Sequence, residues 1–225
     1  MILKTNKKLE SKLKAYNVVK IDKNQLEING KGNHSLWEKA NELTNFSSPW
    51  DDASVNEITF KALWDAVNLY CYFKVQDSEI HIDTTDNTKS SINNSDRVEL
   101  FFRTNSKLNP YYCLEIDPSP RLMDFKAKPN KEFDFNWNWP TDDILIKSDF
   151  QKDYFTVEIA INLVSLIQLN LLNSGKIETG IYRAKYILQE NGTYEPIWIT
   201  WIDPKTETPN FHTPASFGTL NLVDA

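Results

Sequence analysis

The chain has 225 residues, 12% of them aromatic, with only six glycines and ten prolines, a composition that excludes collagenous, low-complexity and disordered classes. Its formal charge of −6 argues against a general nucleic-acid binder, which would neutralise phosphates with clustered Lys and Arg. The charge is uneven: eight lysines against Glu10, Asp22 and Glu27 give residues 1–31 a balance of +5, leaving −11 for the rest.

That basic stretch reads as a solvated N-terminal extension over residues 1–27, helical at best, with Leu3, Leu9, Leu13 and Tyr16 loosely spaced among lysines. Residues 28–225 read as one domain. No run of about 18 apolar residues occurs, so no membrane-spanning helix is predicted. No apolar segment follows the first lysines, which predicts a cytoplasmic protein as the chain stands, or a secreted one whose signal has been removed.

Ile28-Asn29-Gly30-Lys31-Gly32-Asn33 predicts a turn, and Trp37 with Ala40 predicts one helical turn that tucks an indole under a sheet. Ile58 to Trp64 and Leu69 to Val75 each alternate apolar and polar residues and are split by a short polar turn, the pattern of a β-hairpin. A long polar connection, Gln76 to Ser95, carries Asp77, Asp83 and Asp86. These could offer oxygen ligands to calcium, although no Asp-x-Asp-x-Asp-Gly loop accompanies them. No other cofactor is expected.

Ser95 to Arg103 then alternates again. Val98, Leu100 and Phe102 share one face; Arg97, Glu99, Phe101 and Arg103 share the other, so a strand with an oily face and a chemically mixed face is predicted. Glu99 is either a polar ligand contact or half of an ion pair with Arg183 or Lys185. Asp96, at the strand entrance, is either a ligand contact or a brace for the loop. Further strands are predicted over Tyr111 to Asp117, Leu122 to Ala127, Tyr154 to Ile161, Ile181 to Leu188, Tyr194 to Ile202 and Phe217 to Val223, with a short helix from Asn162 to Ile167. Cys71 and Cys113 fall inside apolar strand patterns and predict two buried thiols rather than a bridge. Phe133, Phe135, Trp137 and Trp139 alternate with Asp134, Asn136 and Asn138, so the four rings lie either on one strand face or along a loop. With many short strands and little helix, the predicted fold is an all-β antiparallel sandwich of two packed sheets with short helical turns at its periphery.

Five segments in order resemble the family 9 carbohydrate-binding modules and their non-catalytic relatives. They are Ile28-Asn29-Gly30 with Trp37 and Ala40; Leu63-Trp64-Asp65 with Leu69-Tyr70; Asp96 to Phe101; Val157-Glu158-Ile159-Ala160-Ile161; and Ile199-Thr200-Trp201 with Asp203-Pro204 and Phe211 to Leu220. The resemblance implies a β-sandwich that binds a carbohydrate ligand without cleaving it, often appended to bacterial polysaccharide-degrading enzymes. It implies two clamp tryptophans around a sugar ring, with polar side chains on its rim. A pyranose offers C–H faces to an indole and hydroxyls to donors and acceptors, so the chemistry is coherent.

This chain departs from that pattern. Asn93, not Trp, stands near the first clamp position, Phe211 stands at the second, and the Arg implied on the strand of Glu115 is missing. The candidate ligand-binding residues are therefore Glu99, Phe211, Trp137, Trp139, Asn93 and Asp96. Two alternatives stand beside this reading. A glycan-acting hydrolase would use Glu99 with Asp96. A haem-binding relative of the sandwich would use Met123, although no Cys-x-x-Cys-His attachment exists.

Overall fold

The structure is a computed structural model that describes residues 14–52 and 54–224. Strands β1 (Ala15–Lys20), β2 (Ile58–Trp64) and β3 (Asn68–Gln76) precede a short helix, α1 (Lys89–Asn93). A run of strands follows: β4 (Arg97–Arg103), β5 (Tyr111–Ile116), β6 (Leu122–Lys128), β7 (Glu132–Asp134), β8 (Ile144–Phe150) and β9 (Tyr154–Asn162). Helix α2 (Leu163–Gln168) leads to β10 (Leu172–Asn173), β11 (Lys176–Leu188), β12 (Tyr194–Thr200) and β13 (Gly218–Val223). No helix among the described residues is long and apolar enough to cross a membrane.

The strands form two antiparallel layers, β7-β6-β5-β4-β11 and β2-β3-β9-β8, with β10, β12 and β13 also paired to β11. The predicted β-sandwich is present, with one correction to its strand directions. Strand β1 runs parallel to both β13 and β2, and so stitches the layers into one continuous curled sheet. The helical reading of residues 1–27 fails where it can be compared. Residues 15–20 are that central strand, and Leu3, Leu9 and Leu13 lie outside the described residues. Tyr16 explains the strand's place: it is buried in the main core and its hydroxyl accepts the Ala62 amide at 2.9 Å. Ile21, Leu26 and Ile28 continue inward, packing with Trp37 and Tyr72 on the outer side of β2 and β3.

The alternation read from the sequence builds the core. Phe60, Phe73, Val157 and Ile159 from one layer join Val98, Leu100, Phe102 and Leu114 from the other in a single buried cluster. Burying side chains of this size contributes about 1.5–3 kcal/mol each relative to exposure. Cys71 lies in this cluster and Cys113 in a second one, both as free buried thiols, as expected. The second cluster covers the outer face of β4, β5, β6 and β11, where Phe101, Tyr111, Cys113, Met123, Phe125 and Tyr182 meet Phe211 and Phe217.

Trp37 sits on one 3-10 turn, Ser35–Lys39, as predicted. Its indole N–H donates to Glu158 at 2.7 Å, and the same carboxylate accepts the Asn29 and Gly30 amides at 2.9 and 2.6 Å. Gly30 is required there: its φ is +89° and a Cβ would stand 2.5 Å from the Ser148 carbonyl oxygen. Two of the sequence segments noted above, Ile28-Asn29-Gly30 with Trp37 and Val157 to Ile161, thus meet through one buried carboxylate.

Candidate functional site

The site is built on the outer face of the β6-β5-β4-β11-β12 layer, where strand register brings chemistry together. Met123 is opposite Glu115, Glu115 opposite Glu99, and Glu99 opposite Tyr182. One step along, Arg97 is opposite Ala184 and Ala184 opposite Trp198. Because paired residues in an antiparallel ladder share a face, two carboxyl groups, a guanidinium and an indole converge.

Arg97 holds the floor. Its Nε donates to Glu115 Oε2 at 2.6 Å and its Nη1 to the Asn93 carbonyl at 2.7 Å, while the guanidinium lies 5.5 Å from the Trp198 ring centroid. Glu99 Oε1 is 3.0 Å from the same Nε, but that N–H is aimed at Glu115. Glu99 Oε1 is left buried without a hydrogen bond. Burial first, and then the nearby Glu115 charge, push the Glu99 carboxyl up to about 8 against the partial opposition of Arg97. Burial also raises Glu115. One guanidinium cannot hold both acids ionised in so dry a place, so the pair retains a proton at neutral pH and the floor is close to neutral.

Above this floor is a cavity of about 130 Å³ whose walls are aromatic: Phe133, Phe135, Trp198, Phe211 and His212. It continues to Lys131 and Pro209 at one end and to Lys89 and Ser90 at the other. Phe211 is only 5% exposed and stacks on Tyr182, with ring centroids 4.1 Å apart and planes 8° apart. Phe133 and Phe135 are 36% and 48% exposed and rest against Phe125. His212 lies 3.0 Å through Nδ1 from the Tyr111 hydroxyl; burial, with some help from Lys131, pushes it down to about 3, so it lines the cleft as a neutral ring.

Of the residues singled out from the sequence, Glu99, Phe211 and Asn93 come together in this cleft. Trp137, Trp139 and Asp96 do not line it. Trp139 is in the main core, 2% exposed, with its N–H on Ser165 at 3.1 Å, and Trp137 packs against Tyr112 at 4.8 Å. The alternating four-ring run divides because β7 ends at Asp134, sending Phe133 and Phe135 outward and the two indoles the other way.

Asp96 accepts the Tyr186 amide at 2.6 Å, extending the β4–β11 pairing with a side chain. It lies 3.6 Å from both Arg183 and Lys185. Those two bases chiefly pair with Asp77, so the expected Glu99 partnership with Arg183 or Lys185 is corrected to Arg97. Burial pushes Asp96 up to about 6 despite both cations, whereas in Asp77 the hydrogen bond from Lys185 and the charge of Arg183 outweigh burial and lower it.

Asp83 and Asp86 cap turns, accepting amides of Thr85 and Thr88 at 2.9 and 2.8 Å. Among the described residues no group of three or more His, Cys, Asp or Glu is placed to hold a metal. Met123 is buried against the cleft floor.

Sequence reasoning missed Arg97, Glu115, Trp198, Phe133, Phe135 and His212 as members of the site. For Trp198 a signal was present: Ile197 and Ile199 of β12, and Trp201 just after it, alternate toward the core, so Trp198 had to face outward.

A curled β-sandwich carrying an aromatic-walled cleft over a buried polar floor is the architecture of a ligand-binding module. The chain belongs to the family described as carbohydrate family 9 binding domain-like, whose model matches residues 28–225. No curated protein sequence matches it.

Three solved structures share the fold. A proposed carbohydrate-binding protein from Bacteroides uniformis ATCC 8492 superposes with a TM-score of 0.72 at 17% identity, over 94% of this chain and 100% of that one. A carbohydrate binding module family 9 from Caldicellulosiruptor kristjanssonii in complex with glucose gives 0.61 at 16% identity, over 94% and 97% of the two chains. The module from the same organism in complex with cellotriose gives 0.60 at 17% identity, over 94% and 95%.

Proposed function

We propose that this protein binds carbohydrate, without cleaving it, in the cleft between Trp198 and the Phe133–Phe135 pair. The observation that carries the reading is Glu99 Oε1, a buried oxygen without a hydrogen bond at the floor of an aromatic-walled cavity. An orphaned buried polar atom costs about 1–3 kcal/mol, and a ligand hydroxyl would relieve it. A sugar ring placed there would lay its C–H face on Trp198 or the phenyl rings. Its rim hydroxyls would meet Glu99, Glu115 and the Asn93 side chain.

Membership of the family, together with family 9 modules of the same fold in complex with glucose and cellotriose, supports this ligand class. The clamp differs from the one that the family resemblance implies. The indole is supplied by β12, and the facing rings by β7 and the turn after it. Glu99 and Asp96 are held in separate clusters, which weakens a hydrolase reading that needs them together. The test is titration of mono- and oligosaccharides followed by calorimetry and tryptophan fluorescence. Saturable heat with a change in emission that disappears in Trp198→Ala is expected, and silence across a broad glycan panel would overturn the reading.

A further inference from the structure

We propose that the cleft continues past Tyr186 onto a second subsite backed by Tyr194 and His81, so that the ligand is an oligosaccharide chain rather than a single sugar. This rests on the carbohydrate reading of the cleft itself.

The β11–β12 register lays out the path. Ala184, Tyr186 and Leu188 are opposite Trp198, Pro196 and Tyr194, so all six share the outer face. Trp198 walls the first cavity. Four residues of extended strand carry the surface from Trp198 to Tyr194, a distance of ~13 Å, longer than one pyranose ring. Past Tyr186 the surface opens into a shelf of about 380 Å³ lined by Glu79, His81, Tyr186, Leu188 and Tyr194.

The shelf has an ordered platform. Tyr194 is 40% exposed, and His81 stacks beneath it with centroids 3.5 Å apart and planes 16° apart. One face of the phenol ring is thus fixed from below and the other is available. A ring held in place before binding loses little freedom when a ligand arrives. Burial holds His81 below its usual range, which suits a neutral stacking partner. The exposed Glu79 carboxylate at the rim can accept hydrogen bonds from hydroxyls, as the edge of a sugar requires.

Cleft and shelf are coupled through one residue. Tyr186 lines the shelf, and its hydroxyl donates to the carbonyl of Asn93, which lines the cleft. The Asn93 carbonyl also accepts from Arg97 of the floor. The two cavities have separate linings joined by this Tyr186–Asn93 contact, and a chain leaving the first would cross it to reach the second.

The experiment is calorimetry of the full chain and of Tyr194→Ala with matched mono- and trisaccharides of glucose, xylose, mannose and N-acetylglucosamine. The expected result is a trisaccharide bound about tenfold more tightly than its monosaccharide, the scale of one aromatic stacking contact. In Tyr194→Ala that gain should vanish while monosaccharide affinity is unchanged, and Tyr194→Phe should restore it.

Equal affinity for mono- and trisaccharide, a gain that survives Tyr194→Ala, or a monosaccharide affinity that falls with it would overturn the second subsite and leave the cleft reading standing. Binding of no saccharide by the parent chain would overturn both.

Discussion

Glu99 and Glu115 stand directly opposite each other on β4 and β5, and both lie within 3.0 Å of a single Arg97 Nε. Two acids competing for one donor in a buried place gives the floor a pH dependence whose sign can be worked out. Glu99 rises from 4.5 to about 8 on folding, so between those values the folded protein holds a proton that the unfolded chain releases. Stability must then fall as pH rises through that window and level off above it. Glu99→Gln removes the titration while keeping the shape. The variant should gain on the parent by about 1–3 kcal/mol between pH 4.5 and pH 8, measured by urea unfolding. Parallel pH profiles for the two proteins would show that Glu99 does not hold that proton.

Asp77 should be the most costly single charge to remove. It receives both Arg183 and Lys185, the latter at 2.7 Å, in a site where all three side chains are at most 10% exposed. In Asp77→Asn the carboxylate left beside the two cations among the described residues is Asp96, 3.6 Å from each, while Lys185 keeps the Glu79 carbonyl. Leaving buried charge uncompensated costs about 3–5 kcal/mol, and the urea midpoint should fall accordingly with little change in slope. A loss below about 1 kcal/mol would mean that water or a rearranged Asp96 carries the charge.

Most of the strands were legible because their side chains alternate with period two and one face is oily. Ile58–Trp64 is recovered with its bounds unchanged, and Val98, Leu100 and Phe102 separate from Glu99 and Phe101 as written. Strand β1 was not legible, because the lysines around it, Lys12, Lys14 and Lys20, mask the short alternation of Tyr16 and Val18, and its pairing is parallel to two distant strands. The site was legible in part. Glu99 and Phe211 could be found on a face or in a motif, but the partner of Glu99 is decided by register between strands and by where α1 delivers Asn93. The Phe133 to Trp139 run misled for a related reason: period two persists in sequence after β7 has ended, so alternation no longer means one face.

Trp37 and Glu158 form a structural pair whose removal should read out on stability and not on ligand. The indole N–H donates to Glu158 at 2.7 Å in a cluster on the outer side of β2 and β3, away from the cleft. Trp37→Phe deletes that hydrogen bond and part of the ring. It should cost about 1–3 kcal/mol in thermal or urea unfolding, with saccharide affinity unchanged once the protein is folded. An altered affinity at equal foldedness would place Trp37 in the binding surface after all.

Phe133 and Phe135 should show the opposite pattern. Both are among the exposed large apolar side chains, at 36% and 48%, and their burial against Phe125 contributes little to a fold whose core lies elsewhere. Exposed rings kept at the mouth of a cleft are better accounted for by what they contact than by what they stabilise. Phe133→Ser with Phe135→Ser should leave the melting temperature within a few degrees, since exposed sites contribute about 0.5 kcal/mol or less. It should weaken saccharide binding about tenfold or more in calorimetry, because the wall facing Trp198 is lost. If binding survives the double substitution intact, the sugar must instead lie toward Lys131 and Pro209, where Trp198, Phe211 and His212 form the walls on their own.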